Sequence, residues 1–308
     1  MSRRPDPLID RQAPLELRAP APQMGDARDF LMLVKTYPVP STKYGETVCC
    51  AAIDATTGDW VRIYPVNFRA LARGEQFKKW QFIRAAFGPT RDDSRPESIR
   101  IFQETIVAGE VIEPRQWARR RAFTDPLIAP SIESLVQSQR DRGTSLGVIR
   151  PRSIDAFVIE PADPWDPASA GDLAQLELAF EGDPVAVTDL ERIPFRFRYR
   201  FHCDDDACVN GHEMVILDWE ISQAFRSWKR TYGEPGWRDA LRRKFFDELP
   251  SRELHLIVGT HHRHRTWMIV GVFAIPWPKV YEQDRRSRGH LGRQEGAMTG
   301  PWVDLEAQ

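Results

Sequence analysis

Residues 195–213 read FRFRYRFHCDDDACVNGHE, and this stretch decides the fold of the C-terminal half. In its first eight residues, aromatic side chains alternate strictly with Arg or His. Successive side chains of a β-strand point to opposite faces, so the alternation predicts a strand with one apolar face and one basic face. Arg196, Arg198 and Arg200 would share the basic face, at a spacing that suits contacts with neighbouring phosphates of a nucleic acid.

The second half of the same stretch holds a candidate metal site. Cys203, Cys208 and His212 lie close together in sequence, and sulfur and imidazole donors suit zinc. The fourth ligand is expected from a histidine-rich loop, with His264 as the first choice. A structural zinc, a catalytic zinc with an open position and the absence of a metal all remain compatible with this spacing.

Two residues are candidates for catalysis. Glu213 follows the potential ligand His212 and, as a carboxylate that does not bind the metal, could move protons for a zinc-bound water. Cys50, on a predicted strand near Glu46, is a weaker candidate for a thiol nucleophile. The spacing does not match the His-x-Glu and Pro-Cys-x-x-Cys signature of zinc nucleobase deaminases, which disfavours that class.

Helical patterns flank this region. Ser131 is a predicted N-cap with Glu133 in the first turn of a helix over residues 131–142. Two further helices are predicted over residues 218–232 and 237–249. Two strands follow, over residues 254–258 and 267–275, joined by the histidine-rich loop. The C-terminal half is therefore expected to be an α/β domain built around the Cys/His site.

The N-terminal half has a different pattern. Short apolar runs, separated by turn residues such as Thr57-Gly58-Asp59, predict several short strands and a small barrel. Cations interleave with aromatic residues here, a combination that suits stacked bases and phosphates. Lys35, Arg62 and Arg69 are the candidate nucleic-acid contacts in this half.

Composition limits the class of protein. The chain has 308 residues, 42% of them hydrophobic, with a formal net charge of −1. That balance argues against a protein that coats DNA with its whole surface but permits a local basic groove. We find no apolar run of about 18 residues and no secretory signal, and four cysteines favour thiols or metal ligands over disulfides. We therefore expect a cytoplasmic protein that does not engage membranes.

The sequence divides into five parts, and the fold class is α+β. A proline-rich disordered arm is expected over residues 1–28, a β-rich domain over 29–160 and a linker or long loop over 161–190. The α/β domain with the Cys/His cluster spans 191–280, and a polar tail spans 281–308.

Residues 30–71 carry a resemblance. Lys35-Thr36-Tyr37-Pro38-Val39-Pro40-Ser41, Glu46-Thr47-Val48-Cys49 and Trp60-Val61-Arg62-Ile63-Tyr64-Pro65 resemble the small β-barrel of PUA-like and ASCH domains. Since those domains bind RNA or modified bases, the resemblance implies a base-reading role. The whole chain also looks like an uncharacterised group of bacterial proteins associated with DNA-modification or defence loci.

Together these patterns predict a nucleic-acid-associated zinc protein that reads or modifies a base, with DNA favoured over RNA as the partner. As an enzyme, it would be a zinc-dependent hydrolase or hydratase acting on a modified base, for example of the 7-deazaguanine type. The alternatives are a non-catalytic interaction protein with a structural zinc, or a thiol enzyme that depends on Cys50.

Overall fold

The structure is a computed structural model, and it describes residues 27–41, 45–90, 93–162, 191, 193–261 and 265–277. The expected tail over residues 281–308 lies outside these residues. So do the expected arm over 1–28 and the linker over 161–190, apart from positions 27, 28, 161 and 162 at their edges.

The N-terminal half is a closed five-stranded β-barrel with two additional strands. Its strands are β1 (Ala27–Lys35), β2 (Val39–Ser41), β3 (Gly45–Asp54), β4 (Trp60–Val66), β5 (Gln81–Pro89), β6 (Ser98–Ile101) and β7 (Val107–Val111). The order β1-β3-β4-β6-β5 closes because β5 also pairs with β1, while β2 extends β3 and β7 extends β5. The sequence-based expectation of a β-rich, small-barrel half is confirmed, and this barrel is compatible with a PUA-like fold.

The central strands β1 and β3 are buried on both faces, which explains their nearly unbroken apolar sequences. Phe30 and Met32 of β1 point into the barrel core, whereas the alternating Leu31 and Leu33 join a second core. That second core includes residues from the C-terminal half, such as Phe273. The barrel is thus packed face to face against the C-terminal half.

Two further sheets form the C-terminal half. A four-stranded sheet has the order β14-β13-β9-β8, and a three-stranded sheet has the order β10-β11-β12. The strands are β8 (Ile128–Ala129), β9 (Leu146–Ile149), β10 (Pro151–Pro161), β11 (Phe195–Cys203), β12 (His212–Val215), β13 (Glu253–Thr260) and β14 (Trp267–Ile275). The sequence patterns place β8 to β10 in the first domain. In the structure, β8 pairs with β9, β9 pairs with β13 and β10 pairs with β11, so these three strands belong to the sheets of the C-terminal half.

Three α-helices complete the described structure: α1 (Trp117–Thr124), α2 (Ile132–Arg142) and α3 (Trp219–Arg242). The predicted N-cap of α2 is confirmed, since the Ser131 side chain accepts a hydrogen bond from the backbone N–H of Ser134. Helix α3 is broken at Gly233 and Glu234, whose backbone angles are non-helical, and it continues into a π-helix over Arg243–Glu248. The break separates the two helices that the sequence predicts.

The alternation over residues 195–203 has the predicted structural consequence. Phe197, Tyr199 and Phe201 are buried in the C-terminal core. The intervening Arg198 and Arg200 point to the opposite face of β11, where their guanidinium groups meet carboxylates.

Within the part of the chain that the structure describes, no helix is long and apolar enough to cross a membrane.

Candidate metal centre

Four side chains converge where helix α2 meets the sheet of β11 and β12. One ligand atom each of Glu133, Cys203, Cys208 and His212 lies within 4.8 Å of the other three. Both thiols are buried, at 0% and 3% exposure, and the glutamate and histidine are half-buried. A Glu/Cys/Cys/His cluster with these separations could hold a metal ion.

Local structure places each donor. Cys203 ends β11 and His212 begins β12, directly opposite the buried Phe201, so their side chains share the inner face of the sheet. Between them, Gly211 has a φ of 68°, a left-handed conformation that favours glycine. The chain can therefore turn within a short loop and bring Cys208 and His212 back beside Cys203.

Backbone N–H groups surround the sulfur atoms. The N–H of Ile132, at the start of α2, donates to Cys203 Sγ over 3.4 Å, and the N–H of Cys203 donates to Cys208 Sγ over 3.3 Å. The N-terminus of α2 adds partial positive charge on the same side. Burial raises the pKa of the Cys203 thiol to about 12. The metal-binding thiolate therefore needs a cation to be stable at neutral pH.

Two buried polar atoms of the cluster have no hydrogen-bond partner among the described residues. They are Nε2 of His212 and Oε2 of Glu133. Moreover, His212 Nε2 lies only 3.1 Å from Glu133 Oε1, without the geometry of a hydrogen bond. A neutral imidazole lone pair and a carboxylate oxygen repel each other at this distance, whereas a cation between them would attract both.

The sequence therefore predicts three members of the cluster and not the fourth. The sequence predicts Glu133 in the first turn of a helix, but no local signal connects that turn with the cysteines, the nearer of which is at position 203. The expected fourth ligand, His264, lies outside the described residues, so its role stays a prediction. The described cluster has Glu133 in that fourth position.

Glu213 lies on the other face of the sheet from His212. Its carboxylate accepts a hydrogen bond from Arg200 Nε at 2.5 Å, and Arg198 lies within 3.9 Å. A role as acid/base for a metal-bound water stays a prediction, and the ion pairs on the outer face do not favour it.

The arginine face of β11 is a mixed surface and not a purely basic one. Arg198 Nε bonds Glu160 at 2.6 Å, and Glu213 bonds Arg200. The Arg196 backbone lies opposite Glu160 in the β10–β11 register. Arg200 is the more exposed of the two ion-paired arginines, with 60% of its side chain accessible, against 25% for Arg198.

Two of the three predicted nucleic-acid contacts of the N-terminal half, Lys35 and Arg62, lie in protected positions. Arg62 is buried at 3% exposure and donates to the Ser145 carbonyl at 2.8 Å. Lys35 donates to the Phe77 carbonyl at 2.8 Å, with its ammonium 4.0 Å from the centre of the Phe68 ring. Burial lowers the pKa of Lys35 to about 8.

The other two N-terminal candidates also have defined surroundings. Arg69 is half-exposed and forms a 2.9 Å ion pair with the buried Glu46. Cys50 is fully buried, and burial raises the pKa of its thiol, which disfavours the thiolate that a nucleophile needs. Roles for these residues in binding or catalysis stay predictions.

Comparison with known proteins divides the chain just after helix α1. The family described as "Domain of unknown function (DUF8758)" matches residues 26–126, and the family described as "Domain of unknown function (DUF8757)" matches residues 128–291. No curated protein matches the chain.

Among solved structures, the chain is similar to one described as "Structure of murine DNA binding protein bound with ds DNA". The identity is 13%, with 82% of this chain and 98% of that chain covered and a TM-score of 0.29. A likeness at that TM-score carries no argument about fold or ligand. The match over residues 128–291 spans more than half of the sequence and includes all four residues of the metal cluster, so the chain belongs to the DUF8757 family.

Proposed function

We propose that this chain is a nucleic-acid-binding protein whose C-terminal half is stabilised by one structural zinc ion. The observation that carries the zinc assignment is the cluster of Glu133, Cys203, Cys208 and His212 within 4.8 Å of one another. Two thiolates, an imidazole and a carboxylate form a donor set that zinc accepts, and four protein ligands would saturate a tetrahedral ion.

The surroundings of the cluster favour a structural role over a catalytic one. A catalytic zinc keeps a position open for water, whereas the four donors here would occupy every tetrahedral position. The cluster also joins elements that are distant in sequence, because Glu133 belongs to α2 and the other three donors to the sheet of β11 and β12. A bound ion would hold the helix against the sheet, which is how structural zinc contributes to folding.

Nucleic acid is the partner that we propose for the outer face of the same sheet. Arg198 and Arg200 present guanidinium groups there, paired with the half-exposed carboxylates of Glu160 and Glu213. Exposed ion pairs of this kind contribute only about 0–1 kcal/mol. Phosphates can therefore replace the carboxylates at little cost, with bidentate arginine contacts.

The more specific functions that the sequence predicts are proposals without structural support of their own. Reading of a modified base, hydrolysis or hydration of a 7-deazaguanine-type base, a place in DNA-modification or defence loci and a cytoplasmic location each rest on the sequence alone. The compatibility of the N-terminal barrel with PUA-like folds supports a base-reading role only at the level of fold.

Two measurements test the proposed function. Elemental analysis of the purified chain should give about one zinc per chain, and X-ray absorption should give two sulfur and two lighter ligands. Binding to labelled DNA at low salt should weaken, with a flatter salt dependence, when Arg196, Arg198 and Arg200 are all replaced by alanine. A metal-free chain that melts like the zinc-loaded one would contradict the structural zinc, and a wild type that binds neither DNA nor RNA would contradict the nucleic-acid role.

A further inference from the structure

A second surface that suits nucleic acid lies at the break in helix α3, which follows the residues of the metal cluster in sequence. Residues 229–235 are all exposed. They include Tyr232, which is 52% exposed and is the one aromatic residue among the large hydrophobic side chains that are exposed within the described ranges. We call Lys229, Arg230, Tyr232 and Arg238 the break surface.

The chain around the break is strongly basic. From Arg226 to Lys244 it has seven Arg and Lys residues (226, 229, 230, 238, 242, 243 and 244) and two acidic residues (234 and 239). Across the part of the chain that the structure describes, Lys229 and Arg230 have no carboxylate within ion-pair distance. This distinguishes them from the arginines of β11, whose charges are paired with Glu160 and Glu213.

Packing under the break brings cations from both helical segments together. The rings of Phe225 and Trp237 lie on either side of the break and meet edge to face, with centroids 4.8 Å apart. The Lys229 ammonium lies 5.5 Å from the centre of the Phe225 ring, and the Arg238 guanidinium lies 4.3 Å from the centre of the Trp237 ring. Each ring of the buried pair therefore holds one cation, Lys229 before the break and Arg238 after it, and Arg238 also lies 3.5 Å from Glu234.

The space at the break is open. Gly233 has a φ of 61°, and an added Cβ there would meet nothing within 4 Å. Tyr232, next to it, is 52% exposed, and its own Cβ would lie 2.9 Å from a Cβ added at Gly236, which places the start of its side chain over that second glycine. A base has flat faces and lies between phosphates, so an exposed ring with exposed cations next to it in sequence suits it in both shape and charge.

We propose that the break surface binds single-stranded nucleic acid, with an unpaired base stacked on Tyr232 and the flanking phosphates near Lys229, Arg230 and Arg238. The proposal deepens the proposed function by naming the strand state of the ligand, and it rests on that function being correct. An exposed aromatic ring favours an unpaired base because a duplex hides the faces of its bases.

The test compares matched variants on two DNA probes. Fluorescence anisotropy with a labelled 20-nucleotide oligothymidylate and with a labelled 20-base-pair duplex gives the dissociation constants. Replacing Tyr232 by Ala should weaken binding of the single strand about tenfold or more, the usual effect of losing one stacked base. Tyr232→Phe, which keeps the ring, should bind like the wild type, and the duplex affinity should change less than twofold in either variant.

The cations give a second, independent readout. The double variant Lys229→Ala and Arg230→Ala should reduce the slope of log K against log salt for the single strand by about 1.4, since each lost phosphate contact removes about 0.7. Lys244→Ala is the matched control, because Lys244 lies beside Glu248 at 3.5 Å and should alter the slope little.

The outcomes separate the two proposals. Single-strand binding that is unchanged in Tyr232→Ala would overturn the break surface while leaving the nucleic-acid role of the protein intact. An equal loss on single strand and duplex would overturn the stacking geometry. Competition by poly-glutamate as strong as competition by unlabelled oligothymidylate would assign the surface to acidic polymers in general and overturn the base-stacking proposal. A wild type that binds neither probe at low salt would remove the proposed function itself.

Discussion

His212 Nε2 and Glu133 Oε1 lie 3.1 Å apart, and neither the imidazole nitrogen nor the second oxygen of the carboxylate has a hydrogen-bond partner among the described residues. Side chains at this distance must share either a proton or a cation. The two thiols beside them, from Cys203 and Cys208, favour a cation, because a metal accepts all four donors while a proton satisfies only two.

Replacing Glu133 by Gln tests this relationship. The amide keeps the shape of the side chain but loses the charge, so we expect zinc to be bound about 10- to 100-fold more weakly, comparable to the loss of a supporting ligand contact. Competition with a coloured chelator measures the affinity. Asp141→Asn is the control on the same helix, since Asp141 is exposed and accepts a hydrogen bond from Gln137. Equal affinity in both variants would remove Glu133 from the ligand set.

Glu213→Gln separates a structural metal from a catalytic one. Its carboxylate is bonded to Arg200 on the outer face, so we expect unchanged zinc content and a loss of stability within about 0.5 kcal/mol. Cys203→Ser, in contrast, should release the metal and lower the melting temperature. If Glu213→Gln instead abolished a hydrolytic activity while keeping its zinc and its melting temperature, the catalytic interpretation would replace the structural one.

A structural feature of this protein can be predicted from the sequence when it depends on neighbouring residues. The alternation of Phe197, Tyr199 and Phe201 with arginines identifies β11 because strand periodicity is a property of neighbouring residues. The cap at Ser131 and the break near Gly233 are local in the same way, and both are confirmed. Barrel closure is not local, since it depends on the pairing of β1 with β5.

The candidate metal site likewise combines residues that are close in sequence with one that only the tertiary structure brings near. Cys203, Cys208 and His212 lie within ten residues, so their spacing alone predicts that they can meet. Glu133 joins them only because α2 packs against the end of β11, a tertiary contact that hydrophobic patterns do not encode. The acidic partners of the arginine face have the same origin. Glu160 belongs to β10, whose register with β11 follows from the whole sheet.

A buried ion cluster between the two halves should dominate stability outside the metal site. Glu253 is 1% exposed and binds Arg121 of α1 and, at 3.2 Å, Arg150. Glu253→Gln would leave two guanidinium groups beside a neutral amide, so we expect the free energy of unfolding to fall by about 3 kcal/mol. This is the lower end of the range for a broken buried ion pair, because Arg150 is partly exposed. Urea denaturation measures it. Glu248→Gln, at an exposed pair with Lys244, should cost less than about 0.5 kcal/mol.

The neighbour of this cluster, His255, should make stability depend on pH. Its side chain is fully buried, stacks on Phe273 with ring centroids 4.6 Å apart, and its Nδ1 lies 3.1 Å from the Glu253 carbonyl. Burial lowers the pKa of His255 from 6.5 to about 4, with Arg121 and Arg150 adding to the effect and Glu253 opposing it. The folded chain therefore holds this imidazole neutral at a pH where the unfolded chain binds a proton.

The direction of the pH dependence, and the pH range over which it acts, follow from these two pKa values of His255. Between pH 6.5 and about 4 the unfolded state carries the additional proton, so the free energy of unfolding should fall by up to about 1.4 kcal/mol per pH unit, roughly 3 kcal/mol in all. Below about pH 4 this contribution levels off. Glu253 acts in a separate window: burial would raise its pKa, but the bonds from its arginines outweigh burial and hold the pKa below 4.5, so its contribution is lost only at lower pH.

His255→Phe checks this assignment. The variant keeps an aromatic ring for the stack on Phe273 and removes the titrating group, so its unfolding free energy, measured in urea from pH 7 to pH 4.5, should be flatter than that of the wild type. Asp93→Asn is the control, because the bonds from Arg95 outweigh burial and lower the pKa of Asp93 to about 2, which places its effect below this range. Its slope between pH 7 and 4.5 should match that of the wild type. A wild-type slope that persists in His255→Phe would assign the dependence to another group, and His255 would then be protonated in the folded protein as readily as in the unfolded chain.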